Sequence, residues 1–483
     1  MAVPTSQLIT RLAATSAVSP AKSGICQTNS RRRRGHEVKT VLKRLLTGIA
    51  AAAAWAAAAH GAPVLMISID GLRPADVLEA QQRGLKIPTL RSIAAQGAYA
   101  TDVVNVIPTV TYPNHTTLIT GVRPDVHGIS NNVAFDPLKK NEDGWEWYAA
   151  DIKTPTLWDV VHANGGVVAS LGWPVSVGAT SIDDNVPEYW RARTNDDLKL
   201  LRALSTPGLV AELEQASATP ISAIGSDTSP DADEAKARFS VAMYKLKRPT
   251  LFTIHLSSLD HVQHQYGPST PEAHAALERI DTDVSTILTA ARKAEPSVVV
   301  VIVSDHGFAP VSKAVNLYRP FIDAGLITLG PSTHKPTSWE AEPWGGASAA
   351  VVLARPDDAA LKAKVKALLD KLAADPAYGF DRVINEEEIK RRGIAGGATF
   401  YINFKLGYEM GDNFDAMPVT PTLMRGSHGW FTDYPEMHST FMIEGPGIEK
   451  RGSLGQIDMR DIAPTVAKVL NVDMPTAQGK ALF

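Results

Sequence analysis

The sequence predicts an α/β fold, with a central, mainly parallel sheet covered by helices on both faces and a small α+β insertion. Three observations carry this expectation. Pro63 to Ile69, Thr250 to Leu256 and Ser297 to Ser304 are continuously apolar, β-branched runs, the pattern of strands buried on both faces. Each run stops at or just before an acidic residue, Asp70, Asp260 or Asp305. Helical patterns over Pro88 to Gln96, Thr116 to Thr120 and Pro271 to Ala294 lie between the runs, as an alternating sheet requires.

Taken in chain order, residues 1–61 read as a leader. Lys43-Arg44 precedes an apolar stretch from Leu45 to Ala59 and an exit of small residues near Gly61, which together predict a secretory signal over about 38–61. The stretch is short of the ~20 apolar residues that a membrane span needs, so no stable span is expected. The single cysteine, Cys26, lies in this leader, which leaves the body without disulfides or a thiolate site. The expected compartment is periplasmic or secreted.

The body, 62–483, reads as one catalytic domain. The 483-residue chain carries a net charge of −3, but nine of its basic residues and only one acid, Glu37, fall in residues 1–61. The body therefore holds 39 basic and 50 acidic residues, net −11. Such a surface has no footprint for a nucleic-acid polymer and gains from a bound cation.

In parallel sheets ligands bind beyond the carboxyl ends of the strands, so the acids that end the three runs point at one edge. From about Asn316 to Arg425 the pattern changes. A strand over Ala347 to Leu353, a helix over Asp358 to Ala374 and a strand over Ala398 to Phe404 predict an α+β subdomain inserted at about 316–425. An apolar run, Ser439 to Ile443, and a helix over Asp461 to Leu470 close the chain.

Asp260 and His264 stand four residues apart, which puts a carboxylate and an imidazole on one helix face. The pair is weak evidence alone, since an exposed Asp/His pair is commoner than a metal site. Asp305-His306 follows the most apolar run, where the bland reading is a helix-capping aspartate. His428 lies between Gly426 and Gly429, where the bland reading is a turn histidine. With Asp70 these give three carboxylates and three imidazoles, a mixture suited to zinc rather than to magnesium or calcium. Six ligands exceed the needs of one catalytic tetrahedral ion and suit two. Thr111, with Pro113 in the first turn of a helix, is a candidate nucleophile, and equally an N-cap.

These residues carry a resemblance. Asp70-Gly71-Leu72-Arg73, Thr111-Tyr112-Pro113-Asn114-His115, Thr120 to Asn132, Asp260 to Pro268, Ser304 to Gly307 and Gly426 to Gly429 occur in an order similar to the nucleotide pyrophosphatase/phosphodiesterase family of the alkaline phosphatase superfamily. Asp461 to Thr465 is similar as well. The resemblance implies an alkaline-phosphatase-like fold and two Zn2+ ions, one held by Asp260, His264 and His428, the other by Asp70, Asp305 and His306. It places Thr111 between the ions, counted among the metal ligands, as the nucleophile that becomes phosphorylated, and gives Asn132, beside the Thr111 backbone N–H, a phosphate oxygen to bind. Tyr112 matches a base-stacking aromatic, and Tyr189 or Trp190 matches a second one. Leu259 and Gln263 stand where the family has Pro and Gly. The implied activity is hydrolysis of a small nucleotide-type phosphodiester or pyrophosphate. The alternatives are a phosphonoacetate hydrolase or phosphomonoesterase with the same ligands, or a headgroup phosphotransferase. The oligomeric state is left open.

Overall fold

The computed structural model describes residues 61–483 apart from 142–143, 192–193, 226–227, 412 and 415–416. The expected leader and signal, except Gly61, lie outside the described residues. No helix among the described residues is long and apolar enough to cross a membrane.

Eight strands form the central sheet: β1 (Val64–Ile69), β2 (Ala98–Tyr99), β3 (Val168–Leu171), β4 (Asp184–Val186), β5 (Leu251–Leu256), β6 (Val299–Val303), β7 (Phe441–Glu444) and β8 (Gly452–Ser453). Their order across the sheet is β8-β2-β7-β6-β1-β5-β3-β4. β1 pairs in parallel with both β5 and β6, and β3 in parallel with β5 and β4, whereas β7 runs antiparallel to β6. The sheet is thus mainly parallel, as the apolar runs imply.

Every residue of β1, β5 and β6 is buried. Alternate side chains serve two separate cores, as the strand period of two dictates. Leu65, Ile67, Phe252, Ile254, Val300 and Ile302 enter one core, while Val64, Met66, Leu251, Val299 and Val301 enter the other. Helices cover both faces, so both sets of side chains are mostly apolar, and the buried exceptions Ser68, Thr253 and His255 are hydrogen-bonded.

Four helices bear on the site: α1 (Thr111–Thr120), α2 (Pro230–Leu246), α3 (Ser258–Tyr266) and α4 (Pro271–Ala294). α3 begins directly beyond β5. The Asp233 carboxylate on α2 holds its first turn, accepting the backbone N–H groups of Ser257 and Ser258 at 3.2 and 2.9 Å. Capping a helix N-terminus with a carboxylate satisfies donors that no helical carbonyl reaches.

Beyond β6 the chain builds further sheets. Ala309–Val315 pairs with Gly407–Met410, Val419–Pro421 and Gly426–Ser427. A four-stranded antiparallel sheet is ordered Ala341–Gly345, Ser348–Leu353, Ala398–Phe404, Phe380–Asn385. One face of it packs with the helix Ala359–Ala373 in a third core that includes Val351, Ile402, Val365 and Leu369. The pairing of Ala309 with Ser427 brings the segment carrying His428 back beside the end of β6.

Candidate active site

Asp70 directly follows β1, Asp305 and His306 lie two and three residues beyond β6, and Asp260 lies on the helix that follows β5. Parallel register sets these ends at one edge: Ile69 is opposite Leu256, and Ser68 opposite Val303. Gly426, in the returning strand, must be a glycine, because a Cβ there would stand 2.6 Å from the Gln263 carbonyl oxygen of α3. Gln263, one of the departures from the family pattern, donates through Nε2 to the Gly71 carbonyl at 2.9 Å, tying α3 to the exit of β1.

The six expected ligands come together as two triads, Asp260, His264, His428 and Asp70, Asp305, His306. His306 Nε2 is 3.3 Å from Asp70 Oδ1 and 3.2 Å from Asp305 Oδ2. Asp260 Oδ1 is 3.4 Å from His264 Nε2 and 3.5 Å from His428 Nε2. Ligands about 2.0–2.1 Å from a tetrahedral zinc stand about 3.3–3.4 Å from one another, close to the two distances given for each triad.

The tautomers agree. His264 Nδ1 faces the Gly426 carbonyl at 3.0 Å, His428 Nδ1 the Thr109 carbonyl at 2.9 Å, and His306 Nδ1 the Gly307 carbonyl at 3.1 Å. A carbonyl only accepts, so each Nδ1 carries a proton and each Nε2 is turned to its triad; burial opposes the charge of His264, but Asp260 beside it holds that imidazole above its ordinary pKa. The His306 and His428 rings stack with centroids 3.5 Å apart and 10° between planes, which joins the triads. Burial, then the neighbouring His428, holds the His306 imidazole well below its ordinary pKa; burial lowers His428 to about 4 despite Asp260. Both rings are neutral ligands at neutral pH.

The carboxylates complete the fit. Asp70 Oδ1, Asp260 Oδ1 and Asp305 Oδ2 are buried with no hydrogen-bond partner. Burial, reinforced by Asp260 for Asp70 and by Asp70 for Asp305, pushes the Asp70 and Asp305 carboxyls well above the usual range. Burial opposes the charge of Asp260 too, but His264 and His428 beside it hold its carboxyl below that range. Unpaired buried carboxylates cost several kcal/mol each, and a cation in each triad removes that cost.

Thr111 is the first residue of α1, and Val110 occupies the cap position without a side-chain bond. Its hydroxyl is therefore not used as an N-cap. Thr111 Oγ1 lies 3.5 Å from His306 Nε2, between the helix end and the triads. The preceding loop is held by Asn114, whose Nδ2 donates to the Pro108 and Val110 carbonyls at 2.9 and 2.8 Å. Asn132 Oδ1 accepts the Tyr112 backbone N–H at 2.8 Å, at the same helix end.

A cavity of about 350 Å3 opens beside Thr111, with Asn132, Asp70, Asp260, His264 and His428 on its wall. The aromatics differ from expectation. Tyr112 lines the cavity, but its side chain is 0 % exposed. Its ring lies against Trp145 and Trp147, and its hydroxyl donates to Glu188 Oε1 at 2.6 Å. It therefore offers no open face. Tyr189 is likewise buried against Trp147, whereas Trp145 and Trp190 are half-buried on the cavity wall, with ring centroids 4.5 Å apart.

Three further residues surround the site: His255 and Glu188, which sequence reasoning did not single out, and His115, which it quoted in a motif without giving it a role. His255 Nε2 lies 3.0 Å from Asp70 Oδ2 and its Nδ1 lies 3.1 Å from Glu188 Oε2, so Glu188 joins Tyr112 to the Asp70 side. His115 sits between the Thr111 carbonyl and the Ser68 hydroxyl at 2.9 and 2.8 Å. A lone imidazole inside the apolar Thr250 to Leu256 run was the available signal for His255.

The family description "Type I phosphodiesterase / nucleotide pyrophosphatase" matches residues 64–395. The chain belongs to this family. An uncharacterized pyrophosphatase/phosphodiesterase of Schizosaccharomyces pombe is 28% identical over 254 residues, 52% of this chain and 45% of that protein. Human ectonucleotide pyrophosphatase/phosphodiesterase family member 1 is 25% identical over 256 residues, 51% of this chain and 23% of that protein. The chain thus spans less than half the length of the curated relatives it matches. Among solved structures, human ectonucleotide pyrophosphatase/phosphodiesterase 5 superposes with a TM-score of 0.60 at 19% identity, covering 85% of this chain and 95% of that one. An inactive variant of the murine protein in complex with AMP gives 0.58 at 20% identity, covering 86% and 96%. These likenesses establish the alkaline-phosphatase-like α/β fold.

Proposed function

We propose that this family member is a two-zinc hydrolase of small nucleotide-type phosphodiesters or pyrophosphates, acting through a covalent intermediate on Thr111. The observation that carries the reading is the Thr111 hydroxyl, at the head of a buried helix and 3.5 Å from a ligand imidazole of one of two zinc-shaped triads. Asp260, His264 and His428 would hold one ion, and Asp70, Asp305 and His306 the other. Zinc, when bound by these residues, would supply positive charge that lowers the pKa of the Thr111 hydroxyl and offsets the charge of the phosphate.

The chain's own groups do the rest. Thr111 Oγ1 attacks phosphorus, one ester or anhydride bond breaks, and the departing oxygen leaves with the proton that Thr111 gave up. The other arm stays on phosphorylated Thr111 until water cleaves that bond, which restores the hydroxyl and releases a monoester. The Asn132 amide and the Thr111 backbone N–H meet phosphate oxygens as charge builds there. The Trp145 and Trp190 rings offer a nucleobase its apolar wall. The basic-then-apolar segment before Gly61 and the cysteine-free body support export.

Rapid quenching during turnover of a nitrophenyl nucleotide diester, followed by mass spectrometry, tests the proposal. A nucleotide adduct on the Thr111 peptide is expected. Turnover with no such adduct, and undiminished in Thr111→Ala, would overturn it.

A further inference from the structure

We infer that Glu188 is a positioning residue for the Asp70 triad: acting through His255, it leaves Asp70 a single oxygen to offer a cation. The inference rests on the two-zinc reading above and concerns what holds one of its ligands in place.

The two oxygens of Asp70 have different surroundings. Oδ1 is buried without a hydrogen-bond partner and lies 3.3 Å from His306 Nε2, inside the triad. Oδ2 lies 3.0 Å from His255 Nε2. Asp305 shows the same division, with Oδ2 orphaned and Oδ1 accepting the Gly71 backbone N–H at 3.2 Å. A backbone donor is placed by the fold itself, whereas a side-chain donor needs its own orientation fixed. His255, buried in β5, is fixed at its other nitrogen: Nδ1 faces Glu188 Oε2 at 3.1 Å and the Gly172 carbonyl at 3.2 Å.

Glu188 stands two residues beyond β4, so a fourth strand of the central sheet sends an acid to the same edge. Its two oxygens are divided between two partners: Oε2 faces His255, and Oε1 accepts the Tyr112 hydroxyl at 2.6 Å. Tyr112 is fully buried against Trp145 and Trp147, which makes its hydroxyl a fixed anchor. The Glu188 side chain is 15 % exposed, and a carboxylate so placed is costly unless its oxygens are bonded. Here both are, and the result is an imidazole that cannot turn away from Asp70. Such partners orient a metal ligand, and their loss commonly lowers metal affinity by about 10–100-fold.

Zinc titration in competition with a chromogenic chelator measures the affinities of the wild-type protein and of variants whose fold is checked by circular dichroism. Glu188→Gln keeps the shape of the side chain and removes its charge and one acceptor. It is expected to weaken one of two zinc affinities by at least about tenfold and to leave the other unchanged. His255→Phe should weaken the same one, and the double variant should lose no more than His255→Phe alone, because both residues act on one ligand. In Asp70→Asn protein, Glu188→Gln should change nothing further. Turnover of a nitrophenyl nucleotide diester by Glu188→Gln should fall at limiting zinc and recover as zinc is added. Unchanged affinities in folded Glu188→Gln, equal weakening of both, or additive losses in the double variant overturn the inference and leave the two-zinc reading standing. So does turnover that stays low at saturating zinc. Should His255→Phe fail to fold, Glu188→Gln, alone and in Asp70→Asn, decides the matter. Wild-type protein that binds no zinc overturns the two-zinc reading itself, and the inference with it.

Discussion

The Asn132 side chain accepts the backbone N–H of Tyr112 at 2.8 Å. Only the carbonyl oxygen of the amide can accept, so this bond fixes the amide's orientation and turns its NH2 donors away from the helix. Asn132 lines the cavity, and under the proposed function those donors meet a phosphate oxygen there. Asn132→Ala removes them, and Asn132→Asp replaces them with a charge. Both are expected to lower kcat by about 100-fold with little change in zinc content, and Asp more than Ala. Steady-state kinetics with elemental analysis of each variant checks this.

Thr111→Ala should abolish turnover while keeping both metals, because no carboxylate or imidazole of either triad is changed. Thr111→Ser should retain a measurable fraction of the wild-type rate. Circular dichroism should show the same fold in both, since Val110, not Thr111, occupies the cap of α1.

Chelation should abolish activity and lower thermal stability together. The three orphaned carboxylate oxygens of Asp70, Asp260 and Asp305 lose their compensation when the cations leave. About two zinc ions per chain are expected by elemental analysis of active protein. A chain that is fully active and free of transition metal would contradict the assignment.

Diesters should be preferred to monoesters. Arg73 is engaged with Asp76 at 2.7 Å, and Arg123 with Asp125 at 3.2 Å, and neither lines the cavity. A monoester dianion thus lacks the arginine that would meet its extra charge. Nitrophenyl nucleotide diester should exceed nitrophenyl phosphate in kcat/KM by at least ~100-fold, equivalent to about 2.7 kcal/mol of transition-state binding. Parallel assays on one preparation decide it.

Asp283 on α4 offers a test away from the chemistry. Burial, then the charges of Asp233 and Glu234, raises its carboxyl to about 7. Its folded-state pKa lies above the unfolded one, so folding is favoured by the protonated form, and stability falls as pH rises from about 4 to 7. Asp283→Asn removes this loss. It should raise Tm by at least ~2 °C at pH 8 and leave it unchanged near pH 4, as thermal unfolding at the two pH values would show.

What was legible in the sequence follows from what is local. β1, β5 and β6 stand out because both their faces are covered, and the ligands Asp70, Asp260, Asp305 and His306 stand out because they follow those strands closely. Thr111 was ambiguous because a hydroxyl at a helix start reads both as cap and as nucleophile; the cap reading falls because Val110 stands at that position. Glu188 and Trp145 gave no signal, since their roles depend on loops far apart in sequence meeting around Tyr112. That same packing closes over the Tyr112 ring, for which the family resemblance implies a base-stacking face. The seating of Gln263 against Gly71 is also a long-range contact that neither residue announces.

The stacked rings of His306 and His428 act as a spacer gauge. Each imidazole belongs to a different triad, and their 3.5 Å separation is the thickness of one aromatic ring. Paired ions in phosphoryl-transfer sites stand about 3.5–4 Å apart, close to that thickness. Under the proposed two-ion reading, this contact between two flat rings, anchored by the carbonyls of Thr109 and Gly307, would hold the two cation positions at that pitch.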